Sequence, residues 1–293
     1  MNWFAQGALQ SWSSAAGVDV SLLLLGVIYA RGWFHLRRVE PRVFSVARLG
    51  AFVAGLASVW VALGSPLAEY DDASLTVHMI QHLLLMSVAP ALFLLAAPAL
   101  PLLHGMPQVL ARNIVAPVLR WRLVQVVGNF LTRPVVAWLV AALTLMIWHV
   151  PQIFDLALRH EWLHKFEHAS FLSAGLIFWW PVIQPWPSVA RRPSWVIPLY
   201  LFAATLPCDA LSGFLAFCDR VVYTSYLSAP RLAGISALQD QQRAAALMWT
   251  MVTFILMIPA VAIALQILSP ERTRTTLQST PKHSGFTSPR GKG

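Results

Sequence analysis

Two histidine pairs spaced four residues apart stand out among the nine histidines of the chain: His78 and His82 in VHMIQHLLLM, and His164 and His168 in WLHKFEHAS. On a helix that spacing puts both imidazoles on one face, close enough to share an ion. His149 closes a third apolar run, in IWHVP. Met86 extends the His78/His82 face by four residues, and Met79 adjoins His78. Imidazole suits copper, zinc and iron, whereas thioether sulfur favours Cu(I). Asp240, near the start of the last apolar run, either adds a carboxylate to this set or caps the first amides of its own helix. The candidate metal-binding set is therefore His78, His82, His149, His164, His168, Met79, Met86 and Asp240. Cys208, Asp209, Cys218 and Met248 lie in or beside the later apolar runs, and Asp209 is a functional candidate because an acid deep in such a run is expensive to keep.

Each residue also has an ordinary structural explanation. An i,i+4 His pair near a helix end can be an interfacial hydrogen-bonding pair, and Lys165 and Glu167 put the turn carrying His164 and His168 partly in water. His149 beside Pro151 can bond a carbonyl that the proline frees. Methionine is a common filler of apolar gaps, and Cys218 reads as a small inert side chain. No role is assigned to His35, His104, His160 or His283.

The elements that position these residues are membrane spans. The chain has 293 residues, of which 57% are hydrophobic and 11% charged, and its mean hydropathy is +0.62. A soluble domain carries about 25% charged residues, so a soluble enzyme, a disordered regulator and a DNA-binding domain are excluded. A hydrocarbon core about 30 Å thick takes roughly 20 apolar helical residues to cross. Seven runs meet or approach that length: 15–34, 46–65, 75–97, 134–152, 163–184, 195–217 and 243–268. The predicted fold class is all-α, a seven-helix polytopic membrane bundle over residues 1–269 followed by a basic cytoplasmic tail over 270–293. Pro90, Pro207 and Pro259 predict kinks in their helices, and Trp148, Trp162 and Trp195 near span ends read as an aromatic belt.

The formal charge of +9 sets orientation. Basic residues concentrate in the first, third and fifth connections and in the tail, and acids collect on the other side. The positive-inside rule then puts the N-terminus outside and the C-terminus in the cytoplasm. The basic surplus faces anionic lipid headgroups rather than nucleic acid. Residues 1–17 hold no basic residue, so no cleaved secretory signal is expected. The connection 101–133 alternates apolar and Arg residues, as short interfacial helices do. In this frame the five histidines fall near one depth, on the side away from the cytoplasm, although they come from three helices. Two cysteines ten residues apart on one helix lie about 15 Å apart along the axis, too far for a disulfide.

Neither H-E-x-x-H nor G-x-S-x-G occurs, and no paired intramembrane acids are present, so a hydrolase ranks last and the chain is expected to be no enzyme. A secondary transporter fits poorly with Asp209 as essentially the sole ionisable group at mid-membrane. Two readings remain: a site holding copper transiently, or a haem ligated by His149 with His82 or His168.

Four strings bear a family likeness. They are HMIQHLLL with the following P-x-L and AAP (His78–Leu85, Pro90–Leu92, Ala96–Pro98), WHVPQIFDLAL (Trp148–Leu158), His164-x-x-Glu167-His168 ahead of Trp179, Trp180 and Pro181, and DQQ-x4-LMW (Asp240–Gln242, Leu247–Trp249). Together they resemble the CtaG-type cytochrome c oxidase assembly factors, seven-helix proteins of the bacterial cell membrane. The likeness covers roughly residues 65 to 265, with the first string the most specific. Where family members typically carry Gly-Gly after the Asp-Gln, this chain has Ala244 and Ala245, and the basic tail lies outside the family pattern. The resemblance implies a role in assembling a haem–copper terminal oxidase by supplying or positioning copper. Its partners would be oxidase subunits, membrane lipid and an unidentified copper donor.

Overall fold

The computed structural model describes residues 2–185, 195–230 and 234–269, with side chains from Ala16 onward. Every regular element among the described residues is helical. In chain order they are α1 (Asn2–Val39), α2 (Val46–Leu63), α3 (Leu75–Leu83), α4 (Ala89–Leu95), α5 (Ala99–Gly105), α6 (Arg122–Leu131), α7 (Pro134–Trp148), α8 (Pro151–Arg159), α9 (Glu161–Ile183), α10 (Val196–Phe217) and α11 (Ala237–Leu268). Shorter turns fill 66–70, 108–120 and 224–227. The expected short helices of the 101–133 connection are therefore present, broken between Arg120 and Arg122 by a bend of 63°.

Five helices are long and apolar enough to cross a membrane, and up to seven spans arise if each of two bent pairs counts as one. One pair is Gln108–Arg120 with Arg122–Leu131; the other is Pro134–Trp148 with Pro151–Arg159, bent by 73°. The helix α9, read from the sequence as the fifth span, is not among the seven, because Glu161, His164, Lys165, Glu167 and His168 dilute its apolar character. Side chains such as Leu23, Val27, Leu199, Phe217 and Ile258 face outward. Lipid explains so much exposed apolar surface where water does not.

Local chemistry sets the element boundaries. Proline at the first position starts α7 and α8, where its missing N–H removes no hydrogen bond. A reciprocal capping box between Ser236 and Gln239 starts α11 six residues before the predicted span. The helices α10 and α11 continue through Pro207 and Pro259. Around Pro90 the answer is different. Proline cannot donate to the carbonyl four residues back, that of Met86, and a π turn over Leu84–Val88 separates α3 from α4 there. Gly175 of α9 meets this spot: a Cβ on it would collide with the Met86 carbonyl oxygen.

The bundle packs α10 on α11, α9 on α7 and α4, α11 on α3, and α1 on α5. At the α1–α5 crossing the backbones touch through Gly32 and Gly105. A Cβ on Gly32 would strike the Pro101 carbonyl, and one on Gly105 the Ile28 carbonyl. Small residues allow such approach between membrane helices. Trp148, expected in the belt, is buried, and its indole N–H donates to Ser170 Oγ at 2.7 Å; Trp162 and Trp195 are exposed. Both cysteines are free. The tail over 270–293 lies outside the described residues, as do Arg191, Arg192 and Arg231.

Candidate metal centre

The two histidine pairs and His149 meet at one end of the bundle. The His78 and His82 rings lie 4.3 Å apart, those of His164 and His168 also 4.3 Å, and His78 stands 5.3 Å from His164 across the α3–α9 contact. His82 lies 5.7 Å from His168 and 6.0 Å from His149. All but His164 are buried.

At the centre is Glu167, which the sequence analysis put in water. It is fully buried, while Lys165 points outward and pairs with Glu161. The α9 helix turns Glu167 and Lys165 to opposite sides, and only the bundle decides which side is inside. Glu167 Oε1 lies 3.3 Å from His82 Nε2 and 3.7 Å from His78 Nε2. Two donors bound tetrahedrally to one ion at about 2.0–2.1 Å are roughly 3.4 Å apart, so this spacing matches a shared ligand shell. A second triad, Asp71, His78 and His164, shares His78, with His164 Nε2 3.7 Å from Asp71 Oδ2. Burial pushes the Asp71 carboxyl above its usual range, against the opposing influence of His78.

The polar atoms of the inner triad have no hydrogen-bond partners. Both ring nitrogens of His78, both of His82 and both carboxyl oxygens of Glu167 are buried and unbonded. Leaving one buried polar group unsatisfied costs about 1–3 kcal/mol. One lone pair from each of the three facing side chains fits a coordinated cation, and each imidazole then keeps its other nitrogen as an N–H.

The remaining candidates fall elsewhere. His149 caps α7; its Nδ1 lies 2.8 Å from the Leu145 carbonyl, and its Nε2 lies 3.4 Å from Met79 Sδ. Met86 lines the apolar cavity beneath His82 rather than the triad. Asp240 is placed outside both triads. Ser74 Oγ, Thr76 Oγ1 and the amides of Leu75 and Thr76 all donate to its carboxylate, the Leu75 bond at 2.7 Å. It therefore caps α3, the helix carrying His78 and His82, and not α11, whose cap is Ser236. The next residue, Gln241, accepts from the Val222 amide and donates to the Leu215 and Arg220 carbonyls. It thereby holds a strap that lies over the site: Tyr223 donates to the His149 carbonyl and Tyr226 to that of Asp71. Asp209 Oδ1 is buried without a hydrogen-bond partner, and Asp209 belongs to neither triad.

Sequence comparison bears on this geometry. The family described as cytochrome c oxidase caa3 assembly factor matches residues 27–269. An uncharacterized protein of Mycobacterium bovis is 28% identical over 272 residues, covering 90% of this chain and 40% of its own length. One of Mycobacterium leprae is 27% identical over 265 residues, covering 87% and 39%. The chain thus spans about 40% of the length of these curated relatives. No solved structure matches.

Proposed function

The chain belongs to the cytochrome c oxidase caa3 assembly factor family, and from that premise we propose that it binds copper at its buried His/Glu centre and hands the ion to an oxidase component. One observation carries the reading: the unbonded ring nitrogens of His78 and His82 converge on the unbonded carboxylate of Glu167 at ligand spacing. Copper is cargo here, and a non-catalytic role follows. Its way in is a cavity of ≈ 800 Å³ lined by Glu69, Asp71, Glu161, His164 and His168, with Lys165 the one basic side chain among the lining residues. Acidic walls concentrate cations. The ion then meets the half-buried Asp71/His164 pair before the buried triad, with His78 common to both.

Among the described residues, the arginine-rich connections 37–48 and 112–133 lie at the opposite end of the bundle from this centre. By the positive-inside rule the centre faces the outer side of a bacterial plasma membrane, the N-terminus is outside, and the chain makes seven crossings. The α9 helix then serves as a span whose outer third is the ligand face. A haem held by His149 with His82 or His168 is the second reading. The Phe171 ring lies 4.1 Å from His82, and a macrocycle would have to displace it, which favours the bare ion.

The test is copper titration of the purified protein. His78→Ala with His82→Ala is expected to remove one equivalent, and Glu167→Gln to weaken that equivalent. Undiminished binding in the double variant refutes the site, and a Soret band in freshly purified protein would replace it with haem.

A further inference from the structure

Beneath the imidazoles lies a second cavity of a different chemical kind. His82, His149 and Met79 form its upper wall, and Met86, Met248 and Cys208 line the rest. The chain has eight methionines and two cysteines, so four of its ten sulfur-bearing side chains converge on this cavity. Neither His/carboxylate triad contains sulfur.

The contact between His149 and Met79 shows what the cavity is built to take. The Leu145 carbonyl can only accept, so at 2.8 Å the His149 Nδ1 must carry the proton. In the neutral imidazole Nε2 is then a bare lone pair. It faces, at 3.4 Å, a thioether sulfur that has no proton to give. Two electron-pair donors held in contact in a buried place make a poor hydrogen bond and a good pair of ligands. A nitrogen at about 2.0 Å and a sulfur at about 2.3 Å from one ion stand roughly 3.5 Å apart in tetrahedral geometry. The Nδ1–H to carbonyl bond is also the arrangement that orients metal-ligating histidines.

We propose that His149 Nε2 and Met79 Sδ, completed by thioether sulfur from Met248 or Met86, form a second metal site that takes Cu(I). Thioether ligands select a soft monovalent ion and disfavour zinc. This deepens the copper reading above, because His82 belongs to the outer triad and also lines the inner cavity. Its ring, 6.0 Å from that of His149, bridges the two sites. Cu(I) passes from the outer nitrogen and carboxylate donors to the inner nitrogen and sulfur donors by ligand exchange. Its oxidation state does not change, and imidazole and thioether neither gain nor lose a proton.

The full-length protein in detergent, loaded anaerobically with Cu(I) and desalted, tests this by metal stoichiometry and X-ray absorption at the copper edge. Wild type is expected to hold two equivalents, with a sulfur shell at about 2.3 Å. Met79→Leu, which keeps the volume, should lose one equivalent and the sulfur shell. His78→Ala with His82→Ala should lose the other equivalent and keep that shell. Sulfur scattering missing from the wild type, or unchanged in both Met79→Leu and His149→Ala, overturns the inner site while leaving the outer one standing. Loss of the outer site shows separately, as a double histidine variant that still binds both ions. Loading with Zn(II) should give no sulfur shell, and a sulfur shell with zinc overturns the proposed selectivity.

Discussion

Asp240 offers the sharpest test of how the centre is held, because it touches none of the candidate ligands. Its carboxylate takes hydrogen bonds from the first two amides of α3 and from two hydroxyls. In Asp240→Ala the hydroxyls can turn to other acceptors, but the buried Leu75 amide cannot. Losing one hydrogen bond to a charged acceptor costs about 1.5–3 kcal/mol, and the lost charge at a helix N-terminus adds about 0.3–1 kcal/mol. The combined loss is about 2–4 kcal/mol, felt at the end of α3 that carries His78. At about 1.4 kcal/mol per factor of ten, opening of that turn becomes roughly 30- to 700-fold easier. Hydrogen exchange of peptides covering residues 74–78 should accelerate accordingly, and copper affinity should fall. Asp240→Asn keeps an acceptor oxygen and should lose about half as much in free energy. Ser236→Ala is the control: removing the cap of α11 costs about 1 kcal/mol and should leave 74–78 protected. Unchanged exchange at 74–78 in Asp240→Ala, or equal acceleration in Ser236→Ala, refutes the cross-helix cap.

Asp71→Asn should raise the melting temperature of the metal-free protein at neutral pH. The folded-state carboxyl titrates above its unfolded value of about 3.9, so its ionised form opposes folding, and the gain should shrink as pH falls toward that unfolded value; a gain that persists at pH 3 contradicts the burial argument. Gly32→Ala should sharply lower thermal stability, since the new Cβ meets the Pro101 carbonyl, a backbone atom that cannot swing aside. Gly50→Ala, with nothing near its Cβ, should be neutral or slightly stabilising in the same melting assay.

Much of the centre was legible because helical spacing is rigid. His78 with His82, and His164 with His168, had to share faces, and their shared depth followed from where the apolar runs begin. Glu167 was misjudged because spacing along one helix does not say which neighbour covers it; Lys165, two residues away, does face out. Met86 was assigned the face of His82 by counting fours, which assumes an unbroken α-helix. The π turn over Leu84–Val88 interrupts that helix, yet Met86 lines the lower cavity together with His82. Asp240 and Gln241 were visible as an acid and an amide at a helix start, yet their partners lie on α3 and on the 218–226 strap. No periodicity encodes such distant pairings. Asp71 sits in a connection, where hydrophobic patterning is silent.

The bond between Asp240 and the Leu75 amide joins positions 165 residues apart. During synthesis α3 is made early, and the carboxylate that finishes its end arrives only with α11. A half-made chain therefore displays histidines without a settled geometry. The turn that carries His78 is finished only when α11 has been made and has packed against it.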